Sequence, residues 1–277
     1  DDVQGIADQM DLPWPVYAMD SGGMKGSFEA GYSAASLRIE KEMKTKEKIP
    51  ASVNVLGLST VHMKGREDAE EIRRLLSLCG IRVISMPGGG SNWDDIMAAP
   101  SASLNIVVRD DLGLSLAKQM ERDFGTPYMS SGLPYGTDGT MAWLSEIIEK
   151  LGAGELIRAS HEAAKLKEFL LRKGNNLESL WGPLWFDAVL ISAPPSEALG
   201  IAEAIRSEWI DTAHLCIHAQ CETEKSTPAA DAIRVVMKNE KEIAKDYEDW
   251  QGGLVLSSSY ETHLLRRMGR SFTGFHI

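Results

Sequence analysis

From Ser52 onward, short apolar runs alternate with stretches whose apolar residues recur every three or four positions, the pattern of strands feeding amphipathic helices. The run SVNVLGLS reads as a strand. In the following REDAEEIRRLLSLCG, Ala69, Ile72, Leu75, Leu76 and Cys79 share one helical face, and Gly80 supplies the stop. IRVISM predicts a second strand, then the triglycine loop SMPGGGSNWDDI, then a short helix from Ser91 to about Ala98. Its first turn, Ser91-x-x-Asp94, has the form of a capping box. LNIVV and PYMSS predict strands on either side of the helix LGLSLAKQMERDFG, and the Gly/Pro-rich SGLPYGTDG leads into the helix TMAWLSEIIEKLG. A helical region from Glu155 to about Leu180 carries no strand signal. The alternation then resumes with FDAVLIS, EALGIAEAIRSEW and AHLCIHA, a long charged helical region over Ala229 to Trp250, and GLVLSS, YETHLLRRMG and SFTGFHI.

Near-continuous apolar strands separated by helices predict parallel sheets covered on both faces, hence an α/β fold. The expected architecture is two Rossmann-like lobes with parallel sheets flanked by helices, plus the remnant of a third lobe. Residues 1–50 are the expected remnant and 51–152 the lobe with the glycine loop. Residues 153–184 form a bridging helical region, and 185–277 a second lobe truncated at its C-terminus. The helix in GSFEAGYSAASLRIEKEM has nothing visible to pack on and is assigned to the remnant. The opening DDVQGIADQMDLPWPVYAMDS has no initiator Met and reads like the interior of a fold, so a fragment is expected.

Composition narrows the function classes. A net charge of −11, spread along helices, repels extended phosphate backbones and argues against nucleic acid. No run approaches the ~20 apolar residues that span a bilayer, so no membrane partner is expected. Three cysteines, Cys79, Cys216 and Cys221, make neither a paired secretory framework nor a four-thiolate set, which fits a reducing, cytoplasmic setting.

Ligands of open parallel sheets sit beyond the carboxyl ends of the strands. Gly88, Gly89 and Gly90 lie at such an end, where bare backbone could approach a ligand and the next helix points its positive end. The loop is neither G-x-G-x-x-G nor a P-loop, and Asp94 and Asp95 add negative charge. A strand-to-helix turn needing positive φ is the competing explanation. His62 and Lys64, in STVHMKG after the first strand, could reach the same rim, and Arg109 would project a charge from another strand end or pair with Asp110 or Asp111. Strand periodicity puts His214, Cys216 and His218 on one face, but same-face neighbours about 6.5–7 Å apart seldom reach one ion, so a half-buried strand is favoured over a metal site. Trp143 and Trp209 are expected in the core, whereas Trp93 could wall a planar cofactor. No Ser/His/Asp or Cys/His catalytic arrangement is legible.

The ordered set DSGGMKGSFEAGYSAA, VNVLGLSTVHMKGREDAEEIRRLLSLCGIRV, GGGSNWDDIMAAPSASLNIVV, GLSLAKQMERDFGTPYM, LPYGTDGTMAWLSEI and LVLSSSYETHLLRRMG resembles the nitrogenase component 1 type oxidoreductases. That family includes the molybdenum-iron protein subunits and the dark-operative protochlorophyllide reductases. The resemblance implies three Rossmann-like lobes and assembly with a homologous subunit as a homo- or heterotetramer. It also implies electrons delivered by an ATP-dependent iron-sulfur reductase to a small-molecule substrate bound between lobes, and an iron-sulfur cluster in the full-length complex but not in this fragment. Ser21 and Gly22 take positions where some members place a cluster cysteine. Arg109 follows LNIVV where the nitrogenase α subunit has its cofactor cysteine, so no metal ligand is assigned and a tetrapyrrole or other planar substrate is favoured. On this resemblance His62 and Arg109 are the catalytic candidates, as proton donor and electrostatic clamp. Ser21, Gly22, Gly88, Gly89, Gly90, Ser91 and Trp93 are the cofactor-binding candidates. A non-catalytic ligand-binding module or a structural subunit is the alternative.

Overall fold

Two four-stranded sheets organise the chain, each built from strands that pair in parallel. The structure is a computed structural model; it describes residues 3–13, 16–19, 26–181, 185–209, 211–219, 245, 247–249, 253–270 and 272–276. By packing, the chain divides into two compact units, residues 1–60 with 83–130, and residues 61–82 with 131–277.

The first unit holds the sheet β2-β1-β3-β4, made of β1 (Ile49–Leu56), β2 (Arg82–Ser85), β3 (Ala102–Val107) and β4 (Tyr128–Ser130), with β2 beginning at the unit boundary. Its helices are α1 (Val3–Asp8), α2 (Phe28–Glu40), α4 (Trp93–Ala98) and α5 (Asp110–Phe124). Leu56 and Val107 from the strands, Leu116, Ala117 and Met120 from α5, and Met43 just beyond α2 form one buried cluster. The helix that sequence alone left without a partner has one: α2 packs along α5, starting from Ser27, whose side chain accepts from Ala30 N at 3.3 Å.

A buried polar pair pins the register of the two central strands. Asn54 of β1 lies directly opposite Asn105 of β3, and its Nδ2 donates to Asn105 Oδ1 at 2.8 Å and to the Ala99 carbonyl at 2.9 Å. A slip of one strand by one residue would carry its amide to the other face of the sheet and break this pair. The strand ends are thereby set against each other.

The second unit contains α3 (Gly65–Leu78), α6 (Gly136–Leu151), the 25-residue α7 (Ile157–Trp181), α8 (Pro195–Ala204) and α9 (Ser259–Arg267). Its sheet runs β6-β5-β7-β8, from β5 (Trp185–Ala193), β6 (Asp211–Ala219), β7 (Leu254–Ser257) and β8 (Thr273–His276). Val189, Ile191, Leu215, Ile217 and Leu254 pack on one face under Ala198, Ile201 and Ala202 of α8, while Leu190 and Val255 meet Leu265 of α9 on the other. Arg74 of α3 reaches Glu71 at 2.7 Å and Glu162 of α7 at 2.6 Å across exposed surface, a link that contributes little to stability.

Helix α8 continues into a π-turn (Ile205–Trp209) that presents Glu208 to the start of α6. Its carboxylate accepts from Thr137 N at 2.8 Å, from Asp138 N at 2.7 Å and from the Thr137 hydroxyl, filling orphan donors of the first helical turn. Partial burial pushes the Glu208 pKa up, but the Thr137 hydroxyl and the backbone amides outweigh this and hold it below the usual carboxylate range.

Two local expectations are corrected. The cap of α4 is Asn92, whose Oδ1 accepts from Asp95 N at 2.9 Å; Ser91 accepts instead from Met86 N at 2.8 Å, so the Ser91/Asp94 capping box does not form. Trp143 is buried as expected and donates to Ser131 Oγ at 2.9 Å, but Trp209, the last residue of the π-turn, is 45% exposed. Leu215 and Ile217 are buried on one face of the edge strand β6. The side chains of His214, Cys216 and His218, and most of the charged helical region 229–250, lie outside the described residues.

Candidate functional site

In the first sheet the chain starts in the middle, crosses to β2 on one side, then returns past β1 to β3 on the other. The carboxyl ends of β1 and β3 therefore flank a topological switch point, the place where open α/β sheets receive ligands. The backbones there are in close contact. A Cβ on Gly57, at φ +98°, would fall 2.7 Å from the Arg109 carbonyl and 2.9 Å from its amide. A Cβ on Gly113 would fall 2.8 Å from Leu56 C and 2.9 Å from Leu56 O and Gly57 N, and Val108 N donates to Leu56 O at 2.9 Å. Only glycine at both positions lets helix α5 start this close to the end of β1.

Arg109 is the residue that this junction encloses. It stands at the N-cap position of α5 and is 3% exposed, with its guanidinium in a two-point pair to Asp111: Nη2 to Oδ2 at 2.8 Å and Nε to Oδ1 at 3.3 Å. Asp111 is 25% exposed. The expected pairing with a neighbouring aspartate is present, but it is a buried arginine reaching outward rather than a surface ion pair. Asp110 is turned aside and accepts from the Ser130 hydroxyl at the end of β4.

The glycine loop leaves β2 at the same end of the sheet. Gly88 has φ +75° and Gly90 φ +93°, so the turn requires left-handed backbone at both. Their surroundings differ. A Cβ on Gly88 would overlap the Leu58 carbonyl and lie 2.6 Å from the Tyr32 hydroxyl, whereas nothing lies within 4 Å of one on Gly90. Gly89 N closes the turn onto Met86 O at 2.8 Å, Thr60 N donates to Gly88 O at 2.9 Å, and Ser91 Oγ holds Met86 N. Trp93, at the start of α4, is half exposed. Gly88 is thus a packing glycine, and Gly90 with Trp93 forms the open part of the loop.

The electrostatics disfavour a simple anion cradle. The Asn92 side chain already takes a first-turn donor of α4, and Asp94, Asp95, Asp110 and Asp111 crowd the two helix starts. Tyr32 is desolvated by burial and its pKa is pushed up to about 12, with the Arg109 charge opposing the shift. Hence the strand ends present one buried cation already paired, a neutral phenol, bare backbone and an exposed indole, a setting suited to a neutral or planar ligand.

Among the sequence candidates, Gly88, Gly89, Gly90, Ser91, Trp93 and Arg109 come together at the carboxyl end of one sheet. His62 belongs to the other unit, in the turn that precedes α3, where its carbonyl accepts from Gly65 N at 3.0 Å. Ser21 and Gly22 lie outside the described residues. Sequence reasoning missed Tyr32, Gly57 and Gly113. A glycine inside the apolar periodicity of α5 was the available signal for close helix–strand approach. At the switch point of the second sheet, between β5 and β7, Ser192 donates to the buried Glu261 at 3.1 Å and Ser258 donates to its other oxygen.

The family model for nitrogenase component 1 type oxidoreductases matches residues 1–277. The chain belongs to that family. It is 33% identical over 167 residues to the nitrogenase iron-molybdenum cofactor biosynthesis protein NifE of Clostridium pasteurianum, covering 59% of this chain and 34% of that protein. It is 25% identical over 235 residues to a light-independent protochlorophyllide reductase polypeptide of Prosthecochloris aestuarii, covering 78% of this chain and 43% of that protein. The chain thus spans less than half the length of these curated relatives. A solved structure of nitrogenase Cp1 at pH 5 superposes with a TM-score of 0.67 at 18% identity, over 99% of this chain and 61% of that one, and supports the fold.

A resident cluster in such a family calls for convergent ligands. Among the described residues, no group of three or more His, Cys, Asp and Glu side chains could hold a metal ion. The described free thiol, Cys79, is buried in apolar surroundings that push its pKa up, the reverse of a metal-ready thiolate. An iron-sulfur cluster does not fit these residues. Among the described residues, no helix is long and apolar enough to cross a membrane.

Proposed function

We propose that this chain works within a nitrogenase component 1 type reductase, in which electrons from an ATP-dependent iron-sulfur partner reach a small, planar substrate held at the carboxyl ends of β1, β2 and β3. Its main support is the convergence of Gly57, Arg109 and the glycine loop at one topological switch point, in a chain that the family model covers throughout. A tetrapyrrole is the substrate class that the exposed Trp93, the bare backbone of Gly90 and the mixed charge favour; the Prosthecochloris relative is named for protochlorophyllide reduction.

In this scheme the protein supplies position and charge while the redox chemistry comes from the partner. Arg109, buried and fixed by Asp111, stabilises negative charge that develops on the substrate as electrons arrive. The family resemblance, rather than the geometry of these strand ends, makes His62 the proposed proton donor, since an imidazole can give and regain a proton near neutrality. Clusters of the complex belong to segments other than the described residues, and a homologous subunit completes the assembly. The cytoplasm is the proposed setting.

A second reading is a ligand-binding or structural subunit, which the bare backbone of Gly90 and the exposed Trp93 at the strand ends would also serve. Anaerobic purification of the natural full-length protein, with iron analysis and a visible spectrum, separates the two. Brown protein with about four irons per cluster is the expected result. Colourless, iron-free protein that binds a small ligand would favour the second.

A further inference from the structure

The glycine loop is held from outside as well as by its own hydrogen bonds. Tyr32, projecting from α2, sets its hydroxyl 2.9 Å from the Pro87 carbonyl and 3.0 Å from the Leu58 carbonyl, one in each of the loops that leave β2 and β1. A phenol has a single hydrogen to donate, so the two carbonyls share it or take it in turn. The contact leaves no slack: a Cβ on Gly88 would lie 2.6 Å from that hydroxyl and 3.1 Å from a ring carbon. Thr60 N, donating to Gly88 O at 2.9 Å, joins the same two loops from the other side. The ring is seated against Phe28 one turn earlier, with centroids 6.2 Å apart and planes at 47°.

We propose that Tyr32 is the positioning residue of the candidate site: its hydroxyl fixes the separation of the two strand-exit loops and thereby the placement of Gly90 and Ser91 toward a ligand. The inference rests on the reading that the ligand lies at this loop. Tyr32 acts through the loop and transfers no proton. A phenol is protonated at neutral pH in any case, and burial pushes its pKa further up, so the clasp keeps its hydrogen there.

The test replaces the hydroxyl and keeps the ring, as Tyr32→Phe in the full chain, with Tyr32→Ala as a second variant that also removes the ring. Losing one shared hydrogen bond predicts amide exchange about three- to tenfold faster at Thr60 and Gly89 in Tyr32→Phe, with Asn105 in the sheet unchanged. A free-base porphyrin, used as the planar probe, should bind that variant about three- to tenfold more weakly while the thermal midpoint moves little. Unchanged exchange at Thr60 and Gly89 overturns the clasp, and faster exchange with unchanged porphyrin affinity overturns its positioning role. If the wild-type chain binds no porphyrin, it is the reading of the ligand site that falls; the exchange result alone then supports or overturns the clasp.

Discussion

Replacing Gly113 with alanine should destabilise the protein by about 2–3 kcal/mol, although alanine is the better helix former. Inside an ordinary helix the change would gain about 1 kcal/mol. Here the new methyl meets backbone rather than a yielding side chain: Leu56 C, Leu56 O and Gly57 N, all within 2.9 Å. Relief requires moving the start of α5 away from β1, and with it Arg109. Gly57→Ala should cost at least as much, because overlap with the Arg109 backbone adds to left-handed strain worth about 1–3 kcal/mol. Gly139→Ala is the control, being helical with nothing within 4 Å of the added Cβ. It should be neutral or slightly stabilising. Urea denaturation of the three variants checks the order. Equal stabilities for Gly113→Ala and Gly139→Ala would mean that the helix does not approach the strand as described.

The second large effect concerns chemistry. Arg109→Met keeps length and packing but deletes the charge, and the quarter-exposed Asp111 can turn to water, so stability should change by no more than about 1–2 kcal/mol. Reductant-driven turnover of the assembled full-length complex should nonetheless fall about 10²- to 10³-fold, the usual consequence of removing a preorganised group that stabilises transition-state charge. Arg109→Ala would confuse the two effects by also opening a cavity. Turnover of Arg109→Met within a factor of about three of wild type would reduce Arg109 to a structural bolt between β3 and α5, since one oxyanion-type donor is normally worth far more.

Much of the fold was legible because parallel strands buried on both faces leave near-continuous apolar runs, and the helices between them keep a clear period. LNIVV and IRVISM match β3 and β2 to within two residues. The partner of α2 was not legible, because contact between α2 and α5 joins segments about 80 residues apart and leaves no local trace. Asn92 displaced Ser91 as cap because a neighbouring serine was needed to close the loop on Met86, a choice made by tertiary geometry. At the site, sequence pointed to the glycines and to Arg109 but not to their different duties. Gly88 is filled in by Tyr32 while Gly90 stays open, and that distinction comes from a helix 55 residues earlier in the chain. The buried state of Arg109 was hidden for a similar reason. It depends on Gly57 and Gly113 letting two elements touch.

The proposed ligand lies where β1, β2 and β3 of the first unit end. Amide exchange mapped on the full chain, with and without a saturating free-base porphyrin, locates it. Exchange should slow in residues 57–60, 86–91 and 108–111, with little change elsewhere. Binding that instead protects only the ends of β5 and β7, around residues 192–194 and 257–261, would contradict that placement.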